Sequence, residues 1–394
     1  MKAFRVIALF GLASLCAVAR SFAQATSSVA ALRLAPEQNA KSVCIDTHLH
    51  LTFAAIPTPG AAGQVRIYDA ADDTLVDTID AGLPTNQQTY VIGGSPLHAF
   101  PVIVQDHTAI IYPHNNTLAY GKTYYVQIDA GALTVGGAPF AGIAGNKGWV
   151  FSTKAAAPAA DVERVVVAAD GTGDFATVQG AIDFVPENNL KRRTIFIRKG
   201  VYPEIVSFIA KDNVTFLGED RTQTVVTYAN QNSLQPNLAA AAGQQFSGSS
   251  YRRGVFMGFN STGVVLANFT VRNTTPSPGG SQAEGVLFKE VRGQAGPNRS
   301  QTLLTHMNLA SHIDTLQITG QGYIADTYIE GDGDFMWGDG PCYFIRTHLH
   351  GLRNGSAFTQ PRNPATHRGF VYVDSKFDGA AGVGHVAPLG RQRR

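Results

Sequence analysis

Two aspartates offer the sequence's sharpest chemistry. Asp314 lies in His312-Ile313-Asp314-Thr315-Leu316, Asp334 lies in Gly333-Asp334-Phe335-Met336-Trp337-Gly338, and the two are 20 residues apart. Carboxyls brought face to face cannot both ionise easily, so one stays protonated while the other remains anionic. Such a pair supplies an acid and a nucleophile to a single site. The structural alternative is that each Asp accepts turn amides between strands. Matched spacing and the neighbouring Phe335 and Trp337 favour the chemical reading.

A repeat would have to position them. Tyr328-Ile329-Glu330-Gly331 and His348-Leu349-His350-Gly351 share a polar-apolar-polar-glycine pattern at the same separation of 20, and Lys376-Phe377-Asp378-Gly379 repeats it after a longer insertion. Repeats of this length without helices indicate a β-solenoid, each coil burying its apolar face on the next. Strands of adjacent coils stand about 4.8 Å apart, so Asp314 and Asp334 would face each other. An ordinary β-sandwich is the competing architecture. The solenoid is expected over 162–394: Val165-Val166-Val167 opens it, one amphipathic helix runs from about Ala176 to Val185 and stops at Pro186, and only short strands and Gly/Asn-rich turns follow.

Upstream, 155–161 reads as an alanine-rich linker, and 34–154 as a small β-sandwich. Alternating runs such as Val65-Arg66-Ile67-Tyr68 and Tyr124-Tyr125-Val126-Gln127-Ile128 are punctuated by Gly93-Gly94 and Gly136-Gly137. The wording from Val43-Cys44-Ile45-Asp46-Thr47 to Trp149-Val150-Phe151-Ser152-Thr153 resembles a bacterial Ig-like module, which implies a spacer or attachment role. Residues 1–25 read as a signal peptide: Lys2 and Arg5 precede the apolar run Val6 to Val18, and Arg20 interrupts it too early for a membrane span. The expected location is secreted, periplasmic or extracellular, in a bacterium. Cleavage would remove three positive charges and no acid, taking the formal charge from +2 to −1. A nucleic-acid partner is excluded, since it needs a clustered basic excess. Cys44 and Cys342 fall in different domains and read as isolated thiols, and no zinc site is expected around them.

Two motifs mislead. Gly171-Thr172-Gly173-Asp174-Phe175-Ala176 after a strand satisfies a dinucleotide fingerprint, but no further βαβ units follow, so a tight turn into a capping helix is expected. Asp46-Thr47-His48-Leu49-His50 looks like a barrel metal strand, yet a sandwich follows it, so two exposed strand histidines are expected.

From Val165 to Arg391 the order of segments resembles the pectin methylesterase family. The matching pieces are Asp170-Gly171-Thr172-Gly173-Asp174-Phe175-Ala176-Thr177-Val178, Ile197-Arg198-Lys199-Gly200-Val201-Tyr202 and Phe216-Leu217-Gly218. They continue with Asn268-Phe269-Thr270-Val271-Arg272-Asn273-Thr274, Gln282-Ala283, Asp314-Thr315-Leu316, Asp334-Phe335-Met336-Trp337-Gly338 and Leu389-Gly390-Arg391. The resemblance implies an all-β chain, a right-handed single-stranded parallel β-helix behind the Ig-like sandwich, that hydrolyses methyl esters of polygalacturonate. It implies Asp334 as nucleophile, Asp314 as acid then base, Arg391 holding Asp334, and Gln282 as oxyanion donor. Phe335 and Trp337 would line the sugar groove. No cofactor or metal is expected, pectin is the expected partner, and the chain is expected to be a monomer.

Two departures qualify the resemblance. Ile313 stands where the family has an oxyanion-stabilising glutamine, and the chain ends at Gln392-Arg393-Arg394 where the family continues with proline, tryptophan and more coils, so a truncated frame or fragment is expected. The alternative function is a catalytically impaired or non-catalytic secreted carbohydrate-binding or surface β-helix. A third reading, lyase or glycosidase action, would want calcium-binding acids or clustered aspartates.

Overall fold

Period-two alternation builds the N-terminal region. In Gln64–Asp69 every second residue is buried, and in Leu75–Asp80 Asp77 and Ile79 are. The computed structural model describes residues 32–83, 88–235, 251–276, 281–290, 300–354, 357–363 and 368–383; the expected signal peptide at 1–25 and Arg391 lie outside them. Arg33–Ala35, Leu49–Thr52, Thr108–Ile111 and Val102–Gln105 form one sheet, and Ala40–Val43, Val150–Thr153, Thr123–Ile128, Gln64–Asp69 and Leu75–Asp80 form another. Leu49, Leu51, Val65, Ile67, Val126, Trp149 and Phe151 fill one core between them.

From Arg164 onward every strand pairing is parallel, among the described residues. The strands stack into three sheets of eight, seven and six, each coil contributing one strand to each, which is the expected parallel β-helix. The repeat seen in the sequence is the strand register: Tyr328 pairs with His348 and that with Lys376, while Gly331, Gly351 and Gly379 align in one column. Gly331 has to be glycine, because a methyl there would lie 2.3 Å from the Phe335 Cβ. The corner from first to second sheet is made the same way coil after coil, by a residue with positive φ: Asn268 (62°), His306 (52°), Asp326 (49°), Arg346 (49°) and Asp374 (47°). Asn and Asp tolerate this left-handed conformation best among non-glycine residues, hence their frequency at the corners. Inside, Phe208, Phe216, Phe256, Phe269 and Phe288 pack ring against ring down the axis. Each fully buried ring contributes about 1.5–3 kcal/mol.

The helix Val178–Phe184 covers the first coil, and Thr177 caps it by accepting from the Gly180 amide at 2.9 Å. It is the one helix among the described residues, so the glycine-rich segment before it forms a turn, with Gly171 at φ 77°, and no dinucleotide fold. Asp46, from the sandwich, accepts from the Thr177 amide at 2.8 Å, the Thr177 hydroxyl at 2.7 Å and the Ala176 amide at 3.0 Å. Glu204, from the β-helix, accepts from Val178 and Gln179 amides at 2.8 and 2.9 Å. The sandwich is therefore docked on the solenoid end. Tyr90, Ile92, Leu97, Ile110 and Tyr112 belong to the solenoid's own core cluster, and Gln235 exchanges hydrogen bonds with the His98 backbone at 2.8 and 2.6 Å.

The expectation of exposed histidines in the Asp46-His50 segment is corrected. His48 and His50 are half-buried beneath this junction, His48 stacks on Tyr112 at 4.2 Å, and burial pushes the His48 pKa down to about 3. Asp46 serves the helix and not a metal. Cys44 and Cys342 are both buried free thiols, as expected.

Candidate active site

The third sheet carries the site at the start of its strands. Val286 pairs with Leu316 and Leu316 with Met336. Two residues before each stand Glu284, Asp314 and Asp334, so three carboxylates occupy one position on three consecutive coils. Asp314 and Asp334 both have left-handed backbone, φ 58° and 43°, where the chain turns into the sheet. The pairing of Ile313 with Gly333 and the bond from the Asp314 amide to the Gly333 carbonyl, 3.1 Å, fix the two coils in register.

The ladder runs from inside to outside. Glu284 is 0% exposed and Asp314 4%, while Asp334 is half-buried at the outer end. Arg253 answers the two inner acids. Its Nε donates to both Glu284 oxygens at 2.8 and 2.9 Å, its Nη2 lies 2.8 Å from Glu284 Oε1, and the same Nη2 is 3.6 Å from Asp314 Oδ2. That last distance is an ion pair without a hydrogen bond, and Asp314 Oδ2 is a buried oxygen with no hydrogen-bond partner. An Asp that served its turn would spend its oxygens on amides; this one keeps an oxygen open. Burial, with Glu284 and then Asp334 adding like charge against the pull of Arg253 and Arg362, pushes the Asp314 carboxyl up to about 7.

Gln282 is exposed beside this group, and its Oε1 accepts from Arg253 Nη1. An arginine can only donate, so the amide presents its oxygen to Arg253 and its NH2 away from it. Trp337 is 8% exposed, with the Arg362 guanidinium 4.3 Å and the Arg253 guanidinium 5.7 Å from its ring. Its buried Nε1 lacks a hydrogen-bond partner. Phe335 requires correction: it is fully buried in the solenoid core against Phe358, 5.3 Å between ring centres, because the residue after Asp334 alternates inward, and it cannot line a groove. His312 turns outward, 43% exposed, toward Asp332 at 3.8 Å, and takes no part in the ladder.

Glu284 and Arg253 escaped the sequence reading. Glu284 is 30 residues before Asp314 because its coil carries an insertion, so the 20-residue spacing hides it. An acid two residues beyond Gln282, in the same phase relative to a following apolar strand as Asp314 and Asp334, was the signal available.

The family model described as Pectinesterase matches residues 164–369, more than half of the chain. Probable pectinesterase 49 of Arabidopsis thaliana is 28% identical over 233 residues, 58% of this chain and 58% of that protein. Pectinesterase 31 of the same plant is 28% identical over 239 residues, 59% of this chain and 70% of that one. Among solved structures, pectin methylesterase from carrot aligns at a TM-score of 0.46 and 24% identity, covering 55% of this chain and 63% of that one. The chain thus spans 58% of the length of the first of these relatives. It belongs to the pectinesterase family.

Proposed function

We propose that this chain hydrolyses methyl esters of polygalacturonate and releases methanol, through the carboxylate ladder. The observation that carries the reading is the arrangement along it: Asp314 is buried, with an unpartnered oxygen and a pKa pushed up to about 7, while Asp334 stands at the accessible end.

The Asp334 carboxylate attacks the ester carbonyl carbon, and methanol departs with the Asp314 proton. Asp314, now anionic, takes a proton from water, the water oxygen attacks the acyl carbon, the bond to Asp334 breaks to regenerate its carboxylate, and galacturonic acid leaves and gives its remaining proton to solvent. The Gln282 NH2, aimed by the Arg253 bond, donates to the developing oxyanion; such a donor contributes about 3–4 kcal/mol. Trp337 offers its exposed edge to the sugar. Arg391, outside the described residues, would hold Asp334 if the family resemblance extends to it. Glu284 remains beneath, paired to Arg253, and adds to the burial that raises the Asp314 carboxyl. Secretion and action on a cell-wall polymer follow from the same reading; among the described residues no helix is long and apolar enough to cross a membrane.

Ile313 supports a second reading, a binder that has lost catalysis, since its half-buried aliphatic side chain brings no donor to the oxyanion. Incubation with highly methylated pectin separates the readings. Methanol release at constant polymer length supports the esterase, retention on polygalacturonate without methanol supports the binder, and polymer shortening contradicts both.

A further inference from the structure

The second sheet of the solenoid carries a cluster that the esterase chemistry does not use. His348 and His350 are alternate residues of the strand His348–Gly351, so both point outward while Leu349 between them is fully buried. The next coil lays Lys376–Gly379 alongside, with Lys376 opposite His348 and Asp378 opposite His350. A single carboxylate oxygen, Asp378 Oδ1, lies 2.8 Å from His348 Nε2 and 2.7 Å from His350 Nδ1.

We propose that His348 Nε2, His350 Nδ1 and Asp378 Oδ1 bind one zinc ion, which staples these two coils together. The three donor atoms lie within 4.8 Å of one another, and no other such group of His, Cys, Asp or Glu occurs among the described residues. Donors around a tetrahedral zinc stand roughly 3.3 Å apart for bonds of about 2.0–2.1 Å, so the two His–Asp pairs, at 2.8 and 2.7 Å, open by about half an ångström to admit the ion. Two imidazoles and one carboxylate suit zinc, whereas calcium and magnesium want oxygen throughout. All three side chains are partly exposed, which leaves the fourth position to water.

The surroundings hold the donors in place. Lys376 Nζ bonds Asp378 Oδ2 at 2.6 Å, leaving Oδ1 as the ligand oxygen and fixing the carboxylate's orientation from behind. Tyr328 packs edge-on against the His348 ring at 5.1 Å and tilted against His350 at 6.0 Å, and its hydroxyl donates to Glu330 Oε2 at 2.9 Å. Glu330 pairs with His350 in register and places a further negative charge beside the cluster. Without metal, His348 Nε2 and His350 Nδ1 each donate a hydrogen to Oδ1. Zinc takes those nitrogens' lone pairs while each ring carries its proton on the other nitrogen, by exchange with solvent and with no redox change.

The sequence hid the site because the third ligand is 28 residues beyond His350, on a coil whose insertion breaks the repeat. It lies on a different sheet from the carboxylate ladder, so it acts on stability and leaves methanol release aside. Since zinc would bind the folded chain and not the unfolded one, it raises the melting temperature.

The test is calorimetric titration of the tag-free, EDTA-treated full chain with Zn2+ at neutral pH, with Ca2+ as comparison and a thermal melt in parallel. Expected are one zinc per chain, a higher melting temperature with zinc and none of this with calcium. His348→Gln and Asp378→Asn should each weaken binding about 10–100-fold, while His107→Ala, an exposed histidine in the sandwich, leaves it unchanged. Melts of the variants in EDTA that match the parent show that they fold. Absence of stoichiometric uptake, or uptake that survives both substitutions, overturns the proposal.

Discussion

Glu284 and Asp314 hold the same register position on neighbouring coils, and the Arg253 guanidinium reaches both, at 2.8 Å and 3.6 Å. It forms two-oxygen hydrogen bonds with the first and only an electrostatic contact with the second. One cation shared unequally by two buried acids gives Glu284 the closer counter-charge and Asp314 the weaker one, while burial raises both carboxyls above their ordinary values. Asp334, one coil further out, completes the ladder.

Removing the shared cation should destabilise the protein. Arg253→Met leaves Glu284 buried without a counter-charge, a defect of about 3–5 kcal/mol. Urea denaturation should show that loss, and Arg253→Met combined with Glu284→Gln should recover much of it. A single substitution with unchanged stability would mean that Glu284 is already neutral.

The pH dependence follows from Asp314. Its folded pKa is raised to about 7 from an ordinary carboxyl value of 3.8, so the native state binds the proton more tightly than the unfolded chain. The stabilising effect is fully present below the unfolded value and is lost as pH rises through 7. Asp314→Asn, which cannot ionise, should therefore melt near the parent's temperature at pH 4 and above it at pH 8. In the parent, methanol release should fall above pH 7 as the proton for the leaving group is lost. A variant that is no more stable than the parent at pH 8 would contradict the assignment.

The docked sandwich makes a separate prediction. Asp46→Ala removes the carboxylate that accepts from Ala176 and Thr177, and should cost about 3 kcal/mol through lost charge-assisted hydrogen bonds. Calorimetry should resolve the sandwich and solenoid into two transitions in the variant where the parent gives one. A single unshifted transition would mean that the apolar contacts around Tyr112 alone hold the junction.

Ile313 can be tested by restoring an amide. Ile313→Gln should raise the turnover of methanol release by about 10-fold or more if the side chain reaches the oxyanion. Unchanged turnover would place that position outside the reacting group's surroundings.

How much of this could be read beforehand depends on what a repeat exposes. The 20-residue spacing of Asp314 and Asp334, and of Tyr328 and His348, is a direct print of the coil, so the β-helix and the shared register of the two acids are legible. Glu284, Arg253 and Asp378 sit across insertions, where sequence distance no longer measures coils. Phe335 misled because an aromatic beside a candidate nucleophile says nothing about which wall it faces; alternation across the turn sends it inward. His48 and His50 were misjudged because the sandwich was read as a detached module, and a docked surface buries what a free one would expose.

The most direct test is methanol release from methylated polygalacturonate by Asp334→Asn beside the parent chain, with circular dichroism to confirm that both fold alike. Expected is measurable release by the parent and a loss of at least about a thousand-fold in the variant. Release by Asp334→Asn at the parent's rate would remove the nucleophile from the outer end of the ladder.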